Sequence, residues 1–165
     1  MARVEPVGDK LLTTYLNDHL AGSVMALELL DHLTGQQEGN DRALLAELRS
    51  EIQEDQELLK RLLHELGAKE SPVRKMAAWL TEKLGQAKLQ FDDPGSGDLQ
   101  ALEALETLAL GIQGKLALWR ALQAVQDKVP QLSTVDYPRL QARALDQFSR
   151  VDRLRLQAAR RALIA

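Results

Sequence analysis

The sequence between Asn40 and Gly67 carries a leucine-rich stripe with the spacing of one helix face. Its positions are three or four residues apart, so in an α-helix they all face the same side. They are Leu45, Leu48, Ile52, Asp55, Leu59, Leu62 and Leu66. A carboxylate directed toward a helical core is costly unless it is paired, protonated or bound to a cation. The stripe therefore predicts a buried helix face with a polar site at Asp55, one turn after Glu51.

The composition predicts an all-α protein. The chain has 165 residues, which is enough for one domain to bury a full core. Leucine and alanine dominate, whereas valine occurs eight times and isoleucine three times. Because β-branched residues favour strands, their scarcity here disfavours a β-sheet. No linker or repeat divides the sequence, so we expect a single helical-bundle domain over residues 1–165.

Cysteine usage and charge limit the chemistry, the location and the partners. Because the chain contains no cysteine, disulfides, zinc–thiolate sites and iron–sulfur clusters are excluded, and a cytoplasmic location is expected. No apolar stretch approaches the roughly 18 residues that a membrane span requires. The net charge is −3, so neither nucleic acid nor a membrane surface is an expected partner.

Capping and breaking residues divide the sequence into five predicted helices, roughly 9–33, 41–66, 72–90, 98–128 and 134–163. Asn40 or Asp41 is the expected N-cap of the second helix, which Gly67 ends. Gly111 and Gly114 fall inside the fourth helix, where each costs about 1 kcal/mol relative to alanine. We therefore expect these glycines to allow close approach of a neighbouring helix or to form a bulge.

The fifth predicted helix has a less regular apolar stripe than the second. The inward face that we predict for it mixes apolar and charged residues. It comprises Ala144, Phe148, Val151, Asp152, Arg155, Ala159 and Ala162. This choice turns Asp152 toward the core, where it would join the acids of the second helix.

The order of the predicted helices matches one class of bundle. Two long hairpins joined by the crossover from residue 67 to 97 favour a ferritin-like four-helix bundle over an up-down-up-down bundle, with an irregular five-helix globule as the alternative. The chain also resembles ferritin-like proteins, in particular a bacterial stress-associated branch, in LRSEIQED at 48–55, LLHELG at 62–67 and LETL at 105–108. It is similar to a further set of bacterial proteins in YLNDHLAG at 15–22 and GKLALW at 114–119, a likeness that implies no activity. The first resemblance implies antiparallel hairpins with a long helical crossover.

The resemblance to ferritin-like proteins also implies a di-iron centre, which this sequence does not complete. Such a centre takes one Glu from each of two helices and a Glu-x-x-His pair from each of the other two. The residues three positions before the chain's three histidines are Leu16, Leu29 and Arg61, so no such pair exists. On the first helix, the family's carboxylate position falls on Ser23.

Five candidate metal ligands remain: Glu51, Asp55, Glu106, Asp152 and His19. In one interpretation they form a degenerate, oxygen-rich site for iron, manganese or calcium in an oxidative-stress protein. In the other they are remnants, satisfied by Lys115, Arg155, His19 or water, that fix the helix register without any cofactor. We favour the second interpretation, a structural or protein-interaction module, and predict no catalytic residue.

The expected partner is a second copy of the chain or another protein. Helical bundles often present one face to a copy of themselves. Met25, Leu29 and Leu118 lie outside the tightest inward lines and are the candidate interface residues. For the polar site, Asp55→Leu is expected to be neutral or stabilising if the acid is a remnant.

Overall fold

The computed structural model describes residues 7–68 and 97–164, with side chains from residue 10 onward, and in these ranges the chain is helical without strands. The all-α prediction is therefore confirmed for this part of the chain. The described ranges contain four α-helices, α1 (Val7–Gln36), α2 (Gly39–Glu65), α3 (Gly97–Val125) and α4 (Tyr137–Ile164). None of these described helices is long and apolar enough to cross a membrane. The predicted helix at 72–90 lies outside the described residues.

The bounds of α2 are set by two glycines with left-handed backbone. Gly39 has a φ of +59° and Gly67 a φ of +72°. The helix begins at Gly39, after Glu38 in extended backbone, so the predicted N-cap at Asn40 or Asp41 is wrong. At the other end, the N–H of Gly67 donates to the carbonyl of His64 and that of Ala68 to the carbonyl of Leu63, both at 3.0 Å, which ends the helix as predicted.

Helix α4 begins three residues later than predicted, at Tyr137. Two short 3₁₀ turns, Gln126–Lys128 and Pro130–Leu132, occupy the connection from α3. The Oδ1 atom of Asp136 accepts a hydrogen bond from the N–H of Arg139 at 3.1 Å and so caps the helix. The buried hydroxyl of Tyr137 donates to the carbonyl of Leu132 at 3.0 Å, which fastens the connection to the start of α4.

In the described part of the chain, the core consists of two hydrophobic clusters. Helix α1 packs along α2, α3 packs along α4, and α1 also contacts α3. The first cluster includes Leu30, Leu48, Ile52, Leu108, Ile112 and Val151. The second includes Leu16, Leu59, Leu62, Leu118, Trp119 and Tyr137. Asp55 lies on α2 between Ile52 of the first cluster and Leu59 of the second, which places it at their boundary.

The buried face of α4 differs from the predicted one. Its members are Tyr137, Leu140, Ala144, Gln147, Val151, Leu154 and Ala158. Phe148, Asp152 and Arg155 are only half-buried, so the prediction that Asp152 turns inward is wrong. The reason is that the actual stripe, with alternating spacings of four and three residues, passes through Gln147 and Leu154 instead.

Candidate functional site

A layer of polar side chains from all four helices lies at the boundary of the two clusters. We call it the polar layer, and it consists of Ser23, Asp55, Gln56, Lys115, Arg143 and Gln147. Asp55 is 3% exposed and Gln147 is 0% exposed. Buried polar groups of this kind are tolerated only when each is hydrogen-bonded, so the partners of each side chain decide what the layer does.

Both carboxylate oxygens of Asp55 are bound by cationic side chains. The Nζ atom of Lys115 lies 2.5 Å from Oδ2, and the guanidinium of Arg143 donates to Oδ1. Arg143 also binds the carboxylate of Glu54 at 2.7 Å. Burial lowers the pKa of Lys115 below its ordinary value, while the neighbouring Asp55 opposes that change. The acid predicted to need a counter-ion has two, and Lys115 is one that the sequence suggested.

Glu51 belongs to the same network through Gln147. The side-chain amide of Gln147 accepts a hydrogen bond from Lys115 and donates one to Glu51 at 2.8 Å. Arg150 binds the same oxygen of Glu51 at 2.5 Å. Burial acts to raise the pKa of Glu51, but hydrogen bonds from Arg150 and Gln147 outweigh it and hold this pKa below its ordinary value. One continuous network therefore joins α2, α3 and α4.

We expect Glu51→Gln to weaken the dependence of stability on acid. Because the pKa of Glu51 is lower in the folded protein than its ordinary value of 4.5, the carboxylate contributes stability above that value. This contribution is lost as the pH falls through the folded pKa. In urea unfolding between about pH 6 and pH 3, the variant should lose less stability than the wild type. Exposed Glu57→Gln is the control, and equal slopes for Glu51→Gln and wild type would contradict the assignment.

The acids Glu106 and Asp152 form a contact group of their own, and His19 has no hydrogen bond or ion pair with Asp55. Arg155 binds Asp152 at 2.7 Å and contacts Glu106 at 3.5 Å, which joins these two acids on the outer side of α3 and α4. His19 is half-buried, and its ring meets the ring of Tyr15 edge-on with centroids 4.7 Å apart. Burial lowers the pKa of His19, with Asp18 opposing. Across the described ranges, no group of three or more His, Cys, Asp or Glu side chains is placed to hold a metal ion.

Ser23 completes the polar layer on α1. Its hydroxyl donates to the carbonyl of Leu20 at 2.6 Å and accepts from the side-chain amide of Gln56 at 3.0 Å. The position at which the resemblance places a carboxylate on the first helix thus carries a neutral hydroxyl. It binds α2 through a hydrogen bond instead of offering a charged ligand.

Sequence reasoning missed Arg143, Gln147 and Arg150, all on α4. The available signal was the stripe Leu140, Ala144, Gln147, Val151, Leu154 and Ala158, which has one polar member. A glutamine in such a stripe predicts a buried hydrogen-bonded amide, as Asp55 in the α2 stripe predicts a buried acid. Arg143 and Arg150 flank Gln147 by one turn on either side, from where both reach α2.

Comparison with known proteins adds no relative. No protein-family model, no curated protein and no solved structure matches this chain. Function is therefore inferred from the contacts of the polar layer and from the exposed surface of the helices.

Proposed function

We propose that the protein is a ferritin-like helical bundle without a working di-iron centre, which acts as a structural or protein-interaction module. The observation that carries the proposal is the pairing of Asp55 with Lys115 and Arg143. A bridging carboxylate must direct its oxygen lone pairs at the metal ions. In this chain those lone pairs receive hydrogen bonds from the protein's own cations, so the network neutralises the acid without a metal.

Ion pairs between consecutive helices support the antiparallel hairpins of this arrangement. Asp31 in the last turns of α1 binds Arg49 in the first half of α2 at 2.5 Å. Arg161 near the end of α4 binds Asp98 at the start of α3 at 3.1 Å. Contacts between the end of one helix and the beginning of the other are expected when the two run in opposite directions.

The alternative is a degenerate carboxylate site for iron, manganese or calcium, and metal analysis separates the two. Protein purified without chelators should contain substoichiometric metal, and its melting temperature should not change on anaerobic addition of Fe²⁺, or on addition of Mn²⁺ or Ca²⁺. The control is Asp55→Asn, treated in the same way. One equivalent of metal in the wild type that is lost in the variant would contradict the proposal and favour the alternative.

The interaction surface that we assign is the outer face of α3, which consists of Leu110, Ala117 and Ala121. Leu110 is 73% exposed. Among the large apolar side chains of the described residues, only that of Ile164 is more exposed. Of the interface residues predicted from sequence, Leu29 and Leu118 are 7% and 0% exposed, so they belong to the core and that prediction is wrong for both. Met25 is half-buried and packs against the core.

Charge placement along α3 favours a second copy of the chain as the occupant of this face. Glu106 lies seven residues before Gln113, and Arg120 lies seven residues after it. Two α3 helices that meet about a two-fold axis near Gln113 would therefore place each Glu106 opposite the partner subunit's Arg120. Both side chains are exposed, and Arg120 has no ion pair with any residue in the described ranges.

We expect Leu110→Glu to convert a dimer into a monomer. A carboxylate at this position, three residues from the proposed axis, would be desolvated in the interface without a partner. Light scattering coupled to size-exclusion chromatography measures the mass directly. Leu145→Glu on α4, where the leucine is 50% exposed, is the matched control and should remain dimeric. A wild-type protein that is monomeric at high concentration would contradict this interface.

A further inference from the structure

A cavity of about 180 Å³ lies between α1, α2 and α3, directly beside the polar layer. Asp55 and Lys115 form one side of it. Most of the remaining wall is apolar. These apolar residues are Met25, Ala26, Ile52, Leu59, Ile112 and Leu118. The cavity is distinct from the outer face of α3 and has no part in the pairing of Asp55.

Three helix-interior glycines converge on this cavity. Gly22 of α1 and Gly111 and Gly114 of α3 all line it. Within the described part of the chain, a Cβ atom built on any of the three meets nothing within 4 Å, and none of the three has a positive φ. Among the described helices, none makes the expected close approach at Gly111 or Gly114. Each glycine costs about 1 kcal/mol of helix stability relative to alanine, and the three missing side chains leave room at this cavity.

His19 supplies a free polar group at the wall of the cavity. Its ring is half-buried, and it makes no hydrogen bond with any described residue. A neutral imidazole has one nitrogen lone pair that can accept a hydrogen bond. Deeper in the wall the polar groups are already engaged, since Lys115 binds Asp55 and Gln56 binds Ser23. The carboxylate of Asp18, next to His19 in the sequence, lies at the exposed edge of the cavity. A donor group on a ligand in the cavity can therefore be accepted by the half-buried imidazole of His19.

We propose that this cavity binds a small single-ring aromatic molecule that carries one hydroxyl or N–H donor, with the ring against the apolar wall and the donor directed at His19. The volume sets the size, because an apolar cavity of about 150 Å³ accepts benzene. Sugars and nucleotides are excluded, since the wall offers too few hydrogen-bonding partners for them.

The test is a titration of ¹⁵N-labelled full-length protein with phenol, with benzene as the comparison ligand. The expected result is saturable binding of phenol that shifts the amide signals of Gly22, Gly111 and Gly114 and leaves that of Gly35 unchanged. Gly114→Leu should fill the cavity and abolish these shifts. Gly35→Leu, at a helical glycine outside the cavity with equally open surroundings, is the matched control and should bind as the wild type does.

His19→Phe tests the polar contact while keeping a ring at this position. Loss of one hydrogen bond should weaken phenol binding by roughly fivefold to tenfold and leave benzene binding unchanged. The inference is overturned if phenol causes no saturable shift, if Gly114→Leu binds phenol like the wild type, or if His19→Phe does not change phenol binding. The titration is also repeated with Leu110→Glu. Because the cavity does not require a second copy of the chain, this variant should bind phenol as the wild type does, so the outcome of this test is independent of the proposed interface.

Discussion

Asp55→Asn is expected to lower the free energy of unfolding by about 3–5 kcal/mol, since removing one member of a buried ion pair leaves the other charge uncompensated. The side chains of Asp55 and Lys115 are 4% and 13% exposed, so water cannot replace the lost carboxylate fully. Arg143 loses its contact as well, although Glu54 remains beside it. Urea unfolding followed by circular dichroism measures this loss.

The matched control is Asp31→Asn, which breaks an exposed ion pair between two helices. Arg49 and Asp31 have side chains that are 37% and 57% exposed. Such a pair contributes about 0–1 kcal/mol, so the control should remain close to the wild type. If the two variants lose equally little stability, the network around Asp55 is not a structural element. The same reasoning revises the expectation for Asp55→Leu, which leaves Lys115 unpaired and should therefore be destabilising rather than neutral.

Gln147→Leu is expected to lower the free energy of unfolding by about 2–3 kcal/mol, because Lys115 and Glu51 each lose a hydrogen bond to a buried amide. The side chain of Gln147 is 0% exposed. Among the described residues, it is the one side chain that forms hydrogen bonds with both Lys115 and Glu51. Leucine has a similar volume, so the loss arises from the missing hydrogen bonds and not from a cavity. Thermal or urea unfolding provides the measurement.

Gln141→Leu is the control for this prediction. Gln141 also lies on α4 and also joins two helices, through a hydrogen bond of 2.7 Å to Gln123 that is only partly buried. Both partners there are neutral and can turn to water, so we expect a change below about 1 kcal/mol. A Gln147→Leu variant as stable as the wild type would mean that the bridge between Lys115 and Glu51 contributes nothing.

The α2 face could be predicted from sequence because its signal is local. Leu45, Leu48, Ile52, Asp55, Leu59 and Leu62 are all buried as the spacing indicates. Leucines at intervals of three and four residues define one helix face regardless of what packs against it. The need of Asp55 for a counter-ion followed from burial alone, and Lys115 was a correct candidate.

The α4 face could not be predicted in the same way. Small residues such as Ala144, Ala158 and Ala159 occur on several sides of this helix, so composition does not single out one register. Arg143 and Arg150 reach Asp55 and Glu51 only because α4 lies opposite α2, and that placement depends on tertiary packing. The cavity beside His19 could not be predicted either, because it also depends on tertiary packing. Its three glycines lie on two helices that are about ninety residues apart in the sequence.

A double-mutant cycle between Asp55 and Lys115 tests the central claim most directly, namely that this acid is held by an internal cation. The cycle compares the wild type with Asp55→Leu, Lys115→Met and the double variant in urea unfolding. We predict that each single variant is destabilised, and that the double variant recovers most of the loss, with a coupling energy of at least about 2 kcal/mol. If the double variant loses as much free energy of unfolding as the two single variants lose together, the claim is contradicted.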